Sequence, residues 1–194
     1  VMLGSGGTDL GSVKYAVELL GMHAELSPDV ERIRRASHVV LPGVGAAAPG
    51  MQRLREAGLD RLIPTLTQPV LGVCLGMQLL FDASAEGDTT CLGILRGKLS
   101  RFDGARCGRV PHMGWNRVDT IKPSPLLAGL ERDAFAYFVH SYAAPVTAAT
   151  VASCDYGGAF AAVVSERNFH GAQFHPERSA AVGARLLANF LELQ

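Results

Sequence analysis

The sequence predicts an α/β fold in which a mostly parallel central sheet, extended by antiparallel strands, carries helices on both faces. Three observations point there. Apolar, strand-like runs alternate with helical patterns through the first half, and β-α-β alternation favours a parallel sheet covered on both sides. From about Cys91 to Gln173 the pattern changes to short strand-like pieces punctuated by Gly and Pro, as in an antiparallel extension of the same sheet. Between these regions, Gly72-Val73-Cys74-Leu75-Gly76 joins the apolar run Pro69-Val70-Leu71 to the apolar run Met77-Gln78-Leu79-Leu80-Phe81. A strand, a sharp turn and a buried helix with a cysteine at the turn make a nucleophile elbow.

Taken in order, Val1-Met2-Leu3 reads as the end of a strand, and Val13, Val17 and Leu20 repeat as one face of a helix. Ser27-Pro28-Asp29 is a helix start, with Ser27 as N-cap, Pro28 at the first helical position and an acid in the first turn. His38 to Leu41 is a short buried strand, followed by Pro42-Gly43-Val44-Gly45. Met51 to Leu66 reads as helical, with a break near Gly58 or Pro64. Beyond the elbow, Ile94-Leu95, Arg109-Val110-Pro111, Tyr137-Phe138-Val139 and Ala159 to Val164 are strand-like, and Asn168 to Phe174 pairs with the last of these as a hairpin. A C-terminal helix from about Ser179 lines up Val182, Leu186, Leu187, Phe190 and Leu191. No repeat or linker interrupts the chain, so residues 1–194 read as a single domain.

Composition narrows the function. The chain is 48% hydrophobic and 19% charged, a globular balance, and its net charge of zero argues against an extended nucleic-acid-binding face. No apolar run is long enough to span a bilayer, and no signal peptide is visible. Cys74, Cys91, Cys107 and Cys154 contain no C-x-x-C pair, which argues against a disulfide framework or a zinc site and fits a reducing cytoplasm. Cys91, Cys107 and Cys154 lie in no motif and read as packing residues.

The elbow gives Cys74 its chemistry. A sharp turn with small neighbours lets strand and helix pack closely, and a helix that starts at the nucleophile favours a thiolate. About a hundred residues later, His175-Pro176-Glu177 follows another apolar run ending Gly171-Ala172-Gln173-Phe174. His175 suits a base for Cys74, and Glu177 suits its orienter if both side chains of an extended segment face one way. The oxyanion of a tetrahedral intermediate needs donors. The Leu75 N–H is one, and the Pro42-Gly43-Val44-Gly45 loop, at the end of a parallel strand, is a second source. Read separately, a buried Cys is often a small core hydrophobe, His-Pro-Glu a capped turn and the Gly-rich loop an ordinary connection. Their order, each at the end of a strand, favours a Cys74-His175-Glu177 triad.

These residues resemble the class I glutamine amidotransferases: G-x-C-x-G-M-Q, P-G-V-G and Q-F-H-P-E together carry the likeness. Val110-Pro111-His112-Met113-Gly114-Trp115-Asn116 and Tyr137-Phe138-Val139-His140-Ser141-Tyr142 narrow it to the family of glutaminase subunits of imidazole glycerol phosphate synthases, over nearly the whole chain. The resemblance implies a class I glutamine amidotransferase-like three-layer sandwich and a cytoplasmic, cofactor-free enzyme. Cys74 would attack the amide carbon of glutamine and His175 would protonate the leaving ammonia. Gln78, Ser141 and Tyr142 would hold the amino-acid end, with Gly45 nearby. It also implies a heterodimer with a (β/α)8-barrel cyclase subunit that receives the ammonia, with no nucleic acid or membrane involved. Trp115, Asn116 and Arg178 would face that partner, Trp115 reading otherwise as a core aromatic. His112 and His140 read as structural or substrate-contacting.

The chain departs from the family at Gly4-Ser5-Gly6-Gly7-Thr8-Asp9, where Gly stands for a usual Asp and Asp9 for a usual Asn, and at Arg178, where Lys is common. The same glycines do not fit the G-x-G-x-x-G spacing of a dinucleotide loop. Three rival readings are a glutaminase of another pathway, a non-catalytic module and a cysteine peptidase. The Gly-Trp-Asn and His-Ser-Tyr motifs argue against the first and the intact triad against the second. Gln78 with the Gly-rich loop favours a small amide over a peptide.

Overall fold

The computed structural model describes residues 1–3, 10–131 and 133–194; the Gly4 to Asp9 loop lies outside the described residues. The first half runs α1 (Leu10–Leu19), α2 (Val30–Arg35), β1 (Val39–Gly43), α3 (Ala47–Glu56), α4 (Leu59–Leu62), β2 (Val70–Cys74) and α5 (Leu75–Leu79). Then come β3 (Phe81–Ser84), β4 (Thr89–Thr90), β5 (Leu95–Arg101), α6 (Gly104–Cys107), β6 (His112–Arg117), β7 (Asp119–Thr120), β8 (Phe135–His140) and β9 (Tyr142–Ala143). The chain finishes with β10 (Thr150–Asp155), β11 (Ala159–Glu166), β12 (Phe169–Ala172) and α7 (Ala180–Leu191).

The main sheet has the order β1-β2-β12-β11-β10-β7. Its first three strands are parallel, with Gly43 opposite Cys74 and Ala172 opposite Val73, and the rest are antiparallel. Along β1, Val39 and Leu41 join one apolar cluster and Val40 the other, as the period of two in a strand requires. One cluster takes Val13 and Val17 of α1 with Leu186, Leu187 and Phe190 of α7. The other takes Ile33, Met51, Leu54, Leu59 and Met77 from the helices across the sheet. Both faces of the sheet are therefore covered, as the alternation in the sequence predicts.

The expected antiparallel extension is divided. Strands β7, β10, β11 and β12 extend the main sheet, and the β11–β12 hairpin forms as predicted. However, β3, β4, β5 and β9 make a second sheet, in which β3 and β5 run parallel and not antiparallel as expected, and β6 and β8 make a two-stranded ribbon. The cause lies at the elbow helix. It ends at Leu79, and Phe81, expected inside it, instead starts β3 and leads the chain to pair with β5. In β6 and β8, buried and more exposed residues alternate, the mark of a ribbon with one face packed and one open.

Several boundaries also move. Leu20 lies past the end of α1 and is 37% exposed. Asp29, not Ser27, caps α2: its carboxylate accepts the Arg32 N–H at 2.9 Å, while Ser27 Oγ accepts the Asp29 N–H, so Pro28 lies before the helix. The helix expected from Met51 starts at Ala47 and breaks at Gly58, whose φ of 67° is left-handed. Val1 to Leu3 makes only an isolated bridge at Met2, to Leu26 and Val40. Arg109-Val110-Pro111 is a bend that precedes β6, and Ile94 precedes β5.

The site depends on how closely the elbow packs. A Cβ on Gly76 would lie 1.7 Å from the Leu41 carbonyl oxygen, and one on Gly72 would lie 2.6 Å from the Met77 nitrogen. Gly76→Ala must therefore force backbone apart in the middle of the domain. We expect a loss of about 3 kcal/mol or more in a urea titration, and a wild-type midpoint in that variant would contradict the packing described.

Candidate active site

Cys74 ends β2 with φ 53° and ψ −111°, a positive φ that a non-glycine residue adopts only under strain. The strain is held by Gly72 and Gly76 on either side and by Gly43, where a Cβ would come within 2.7 Å of the Gly76 nitrogen. The parallel register sets Gly43 beside Cys74, so the Pro42 to Gly45 loop lies against the elbow. Gly45 itself has φ 91°. Leu75 is the first residue of α5, so its N–H has no acceptor within the helix. The helix is only five residues long and carries a weaker dipole than the sequence suggested.

His175 and Glu177 come to the elbow from β12, which is hydrogen-bonded to β2. Glu177 does not lie on an extended segment as expected: Pro176–Arg178 is a 3-10 turn, and Pro176 opens it. The turn curls Glu177 back so that its Oε1 lies 2.9 Å from His175 Nδ1, both side chains nearly buried. Glu177 Oε2 has no hydrogen-bond partner among the described residues. Burial alone would lower the His175 pKa. The hydrogen bonds to Cys74 and Glu177, together with their charges, outweigh it and push the imidazole up to about 10. With Glu177 at Nδ1, the other ring nitrogen is left for Cys74. Gln173 Nε2 donates to Cys74 Sγ at 3.8 Å.

A cleft of about 400 Å³ opens over the elbow. Of the expected site residues, Val44, Gly45, Cys74, Leu75, Gln78, Ser141, Tyr142, His175 and Arg178 line it, and so does His140, read as structural or substrate-contacting. Gly43 supports it from behind, and Glu177 is buried beneath His175. Gln78 is buried and its amide is engaged, donating to Tyr142 O and Gln173 Oε1, each at 2.9 Å. The Arg178 guanidinium stacks over the Tyr137 ring at 4.5 Å. Trp115 and Asn116 are not in the cleft. Trp115 lies on the open face of β6 and is 54% exposed, which rules out the core-aromatic alternative. Asn116 donates to Asp155 O and contacts His112. Cys91 and Cys154 are buried, and burial pushes their thiols up to about 11 and about 12. Cys107 is half-buried.

Glu86, Pro111 and Val139 also line the cleft, and sequence reasoning missed them. Glu86 accepts the Ala47 N–H at 2.8 Å, where α3 has no side-chain cap of its own. Nothing in its local sequence marks it, because the contact is made across the fold. Gln173 had a legible signal: it stands two residues before His175, on the same face of an extended segment.

The family model described as Glutamine amidotransferase class-I matches residues 8–193. A Xanthomonas campestris pv. campestris (strain 8004) protein named "Imidazole glycerol phosphate synthase subunit HisH" is 55% identical over 192 residues, covering 99% of this chain and 96% of its own. A protein of the same name from Xylella fastidiosa (strain Temecula1) is 52% identical with the same coverage. Among solved structures, one titled "Crystal structure of glutamine amidotransferase" superposes with a TM-score of 0.76 at 20% identity, over 98% of this chain and 96% of its own. The glutaminase domain of Trypanosoma brucei CTPS with bound acivicin gives 0.67 at 18% identity, over 100% and 93%. At such identities the two structures speak for the fold alone.

The raised His175 has a consequence for stability. A folded pKa of about 10 against an ordinary value of 6.5 means that this group's contribution is complete below 6.5 and is lost as pH rises through 10. Glu177→Gln keeps an acceptor but removes one of the charges responsible. Across that window, urea titrations should show a shallower loss of stability in Glu177→Gln than in wild type. Equal slopes would mean that Glu177 does not hold the imidazolium.

Proposed function

Because this chain belongs to the glutamine amidotransferase class-I family, we propose that it is the glutaminase subunit of an imidazole glycerol phosphate synthase, with Cys74, His175 and Glu177 as its catalytic residues. The observation that carries the residue assignment is the 2.9 Å contact between His175 and Glu177 beside a strained, cleft-lining Cys74. Relatives that share more than half of their residues over 99% of this chain carry the name of that subunit. Cys74 Sγ attacks the amide carbon of glutamine, and the negative charge on the oxygen is met by the Leu75 N–H and by the Gly43-Val44-Gly45 loop. His175 gives its proton to the departing nitrogen, so ammonia leaves and a γ-glutamyl thioester remains. Water then loses a proton to His175 and attacks the thioester, which releases glutamate and restores Cys74.

The cleft suits a small, zwitterionic amide. Glu86 supplies negative charge for the substrate's α-ammonium group, and Ser141, Tyr142 and Gln78 line the cleft with it. Arg178, also on the wall, supplies positive charge. The released ammonia passes to a (β/α)8-barrel cyclase subunit. There it reacts with a phosphoribulosyl-formimino aminoimidazole ribonucleotide to give imidazole glycerol phosphate and an aminoimidazole carboxamide ribotide. A direct passage is favoured because ammonia in neutral water is mostly ammonium, which is not nucleophilic. Free cysteines and the absence of any membrane-length apolar helix among the described residues fit a cytoplasmic site for this reaction.

The outward face of the β6–β8 ribbon suits the partner. Met113, Trp115 and Phe135 are exposed on it at 61%, 54% and 48%, and Trp115 stands opposite Tyr137, which carries Arg178. An aromatic patch with an adjacent guanidinium has the composition of an interface centre.

Two measurements test this. Cys74→Ala should abolish glutamate release from glutamine while the complex with the cyclase still turns over on added ammonium salt. Substantial glutaminase activity in that variant would end the nucleophile assignment. Trp115→Ala should weaken association with the cyclase by about 2 kcal/mol and leave the melting of the isolated chain nearly unchanged. Unaltered affinity would move the interface elsewhere.

A further inference from the structure

His112 and His140 are buried side by side on the packed face of the β6–β8 ribbon, His140 at the edge of the cleft, and the mechanism above uses neither. Their rings are fixed by packing. His112 lies between Tyr156 and Phe138, stacked at 4.0 Å and 4.9 Å, and Phe102 and Phe160 close around both imidazoles. Burial pushes the His112 pKa down to about 4. Burial, with smaller contributions from neighbouring groups, takes His140 down to about 3. Both rings are therefore neutral at physiological pH, and each has one donor and one acceptor nitrogen.

The partners determine which nitrogen is which. The Tyr142 carbonyl, 2.8 Å from His140 Nδ1, can only accept, so His140 carries its proton on Nδ1 and accepts at Nε2. His112 Nδ1, 3.2 Å from that Nε2, must donate, which leaves His112 Nε2 as an acceptor. Asn116 Nδ2 meets it at 3.2 Å. The Asn116 amide is independently oriented to donate there, because its Nδ2 also donates to Asp155 O and its Oδ1 accepts the Arg117 N–H. On the far side, Gln78 Nε2 donates to the same Tyr142 oxygen and to Gln173 Oε1, and Gln173 Nε2 donates to Cys74 Sγ. Every donor meets an acceptor, and reversing any amide or imidazole would set two donors or two acceptors against each other.

We infer that His112 and His140 are positioning residues for the Cys74 site, joined to it by one continuous chain of hydrogen bonds from Asn116 to Cys74 Sγ. The Tyr142 carbonyl is the junction. Its two lone pairs take His140 from one side and Gln78 from the other, so the Ser141-Tyr142 wall of the cleft and the Gln78–Gln173 pair at Cys74 are set together. Asn116 follows Trp115 in β6, so the chain begins on the strand whose open face we assign to the cyclase. The inference rests on the reading of Cys74 as the glutaminase nucleophile.

The test uses the complex with the cyclase and its nucleotide ligand, at saturating partner. His140→Asn keeps an N–H near the Nδ1 position, whereas His140→Leu has nearly the same shape and no donor. Glutaminase kcat and the rate of Cys74 alkylation by iodoacetamide should both fall about tenfold in His140→Leu, the loss expected for one buried hydrogen bond, and largely return in His140→Asn. Equal kcat and equal alkylation in His140→Leu, His140→Asn and wild type would overturn the inference. So would an equal loss in both variants, which would mark a packing role only. If His140→Leu does not fold, Asn116→Ala at the surface end decides: unchanged kcat and alkylation overturn the inference, and a fall in both supports it. Cys74→Ala, run alongside, separates failure of this chain of bonds from failure of the nucleophile assignment.

Discussion

At Gly76 the elbow backbone comes so near β1 that there is no room for a side-chain atom before the Leu41 carbonyl oxygen. Gly43 and Gly72 make the same demand from the end of β1 and from β2. This three-way approach holds Cys74 at a positive φ, brings the Gly43 to Gly45 loop beside it and seats α5 directly on β1 and β2. A strained residue persists only where its surroundings over-determine it. Here the surroundings are backbone atoms and the fully buried Val70, Leu71 and Leu41, so the strain is supported by the centre of the fold.

Register between strands then does for His175 what the glycines do for Cys74. Strands β2 and β12 pair in parallel with Ala172 opposite Val73, and the nucleophile and its base follow that pair by one and three residues. A slip of one residue would turn β12 over, sending Gln173 and His175 to the wrong face of the sheet. Such a slip would move the buried Phe169 and Phe174 between the two apolar clusters as well. Burial on both faces therefore protects the triad spacing, and the geometry of the site follows from a register that the core enforces.

The legible parts of the sequence were those set by local backbone or by strict periodicity. The elbow showed itself because glycine flanks Cys74 on both sides, and the β11–β12 hairpin because its two apolar runs are separated by a polar turn. Helix ends were less clear. The apolar spacing that runs from Val13 to Leu20 does not register that the helix stops at Leu19, before Gly21 with its φ of 82°. Ser27-Pro28-Asp29 offers two oxygen-bearing caps, and only the fold chooses Asp29. Division of the antiparallel half into three sheets was not legible, because β4, β7 and β9 have two residues each and their pairings depend on distant segments. Glu86 and the hydrogen bond that joins His112 to His140 were hidden for the same reason: the partners lie far apart in sequence, at Ala47 and across the ribbon.

The division of the sheet also divides the labour of the site. Parallel strands bring the nucleophile, its base and the oxyanion loop to one edge, as open α/β sheets do at the carboxyl ends of their strands. That edge alone would leave the nucleophile open to water on one side. The ribbon and the second sheet help to enclose it by adding Pro111, Val139, Ser141 and Tyr142 to the lining of the cleft. A ribbon with one packed and one open face can line a cleft with its end while it shows Trp115 to a partner. Had these strands joined the main sheet, as the sequence suggested, they would have continued its layer instead of forming one of their own. The wall of the cleft and the exposed aromatic face would then have been lost together, so the departure from a single extended sheet is what leaves this domain a surface to present beside its active site.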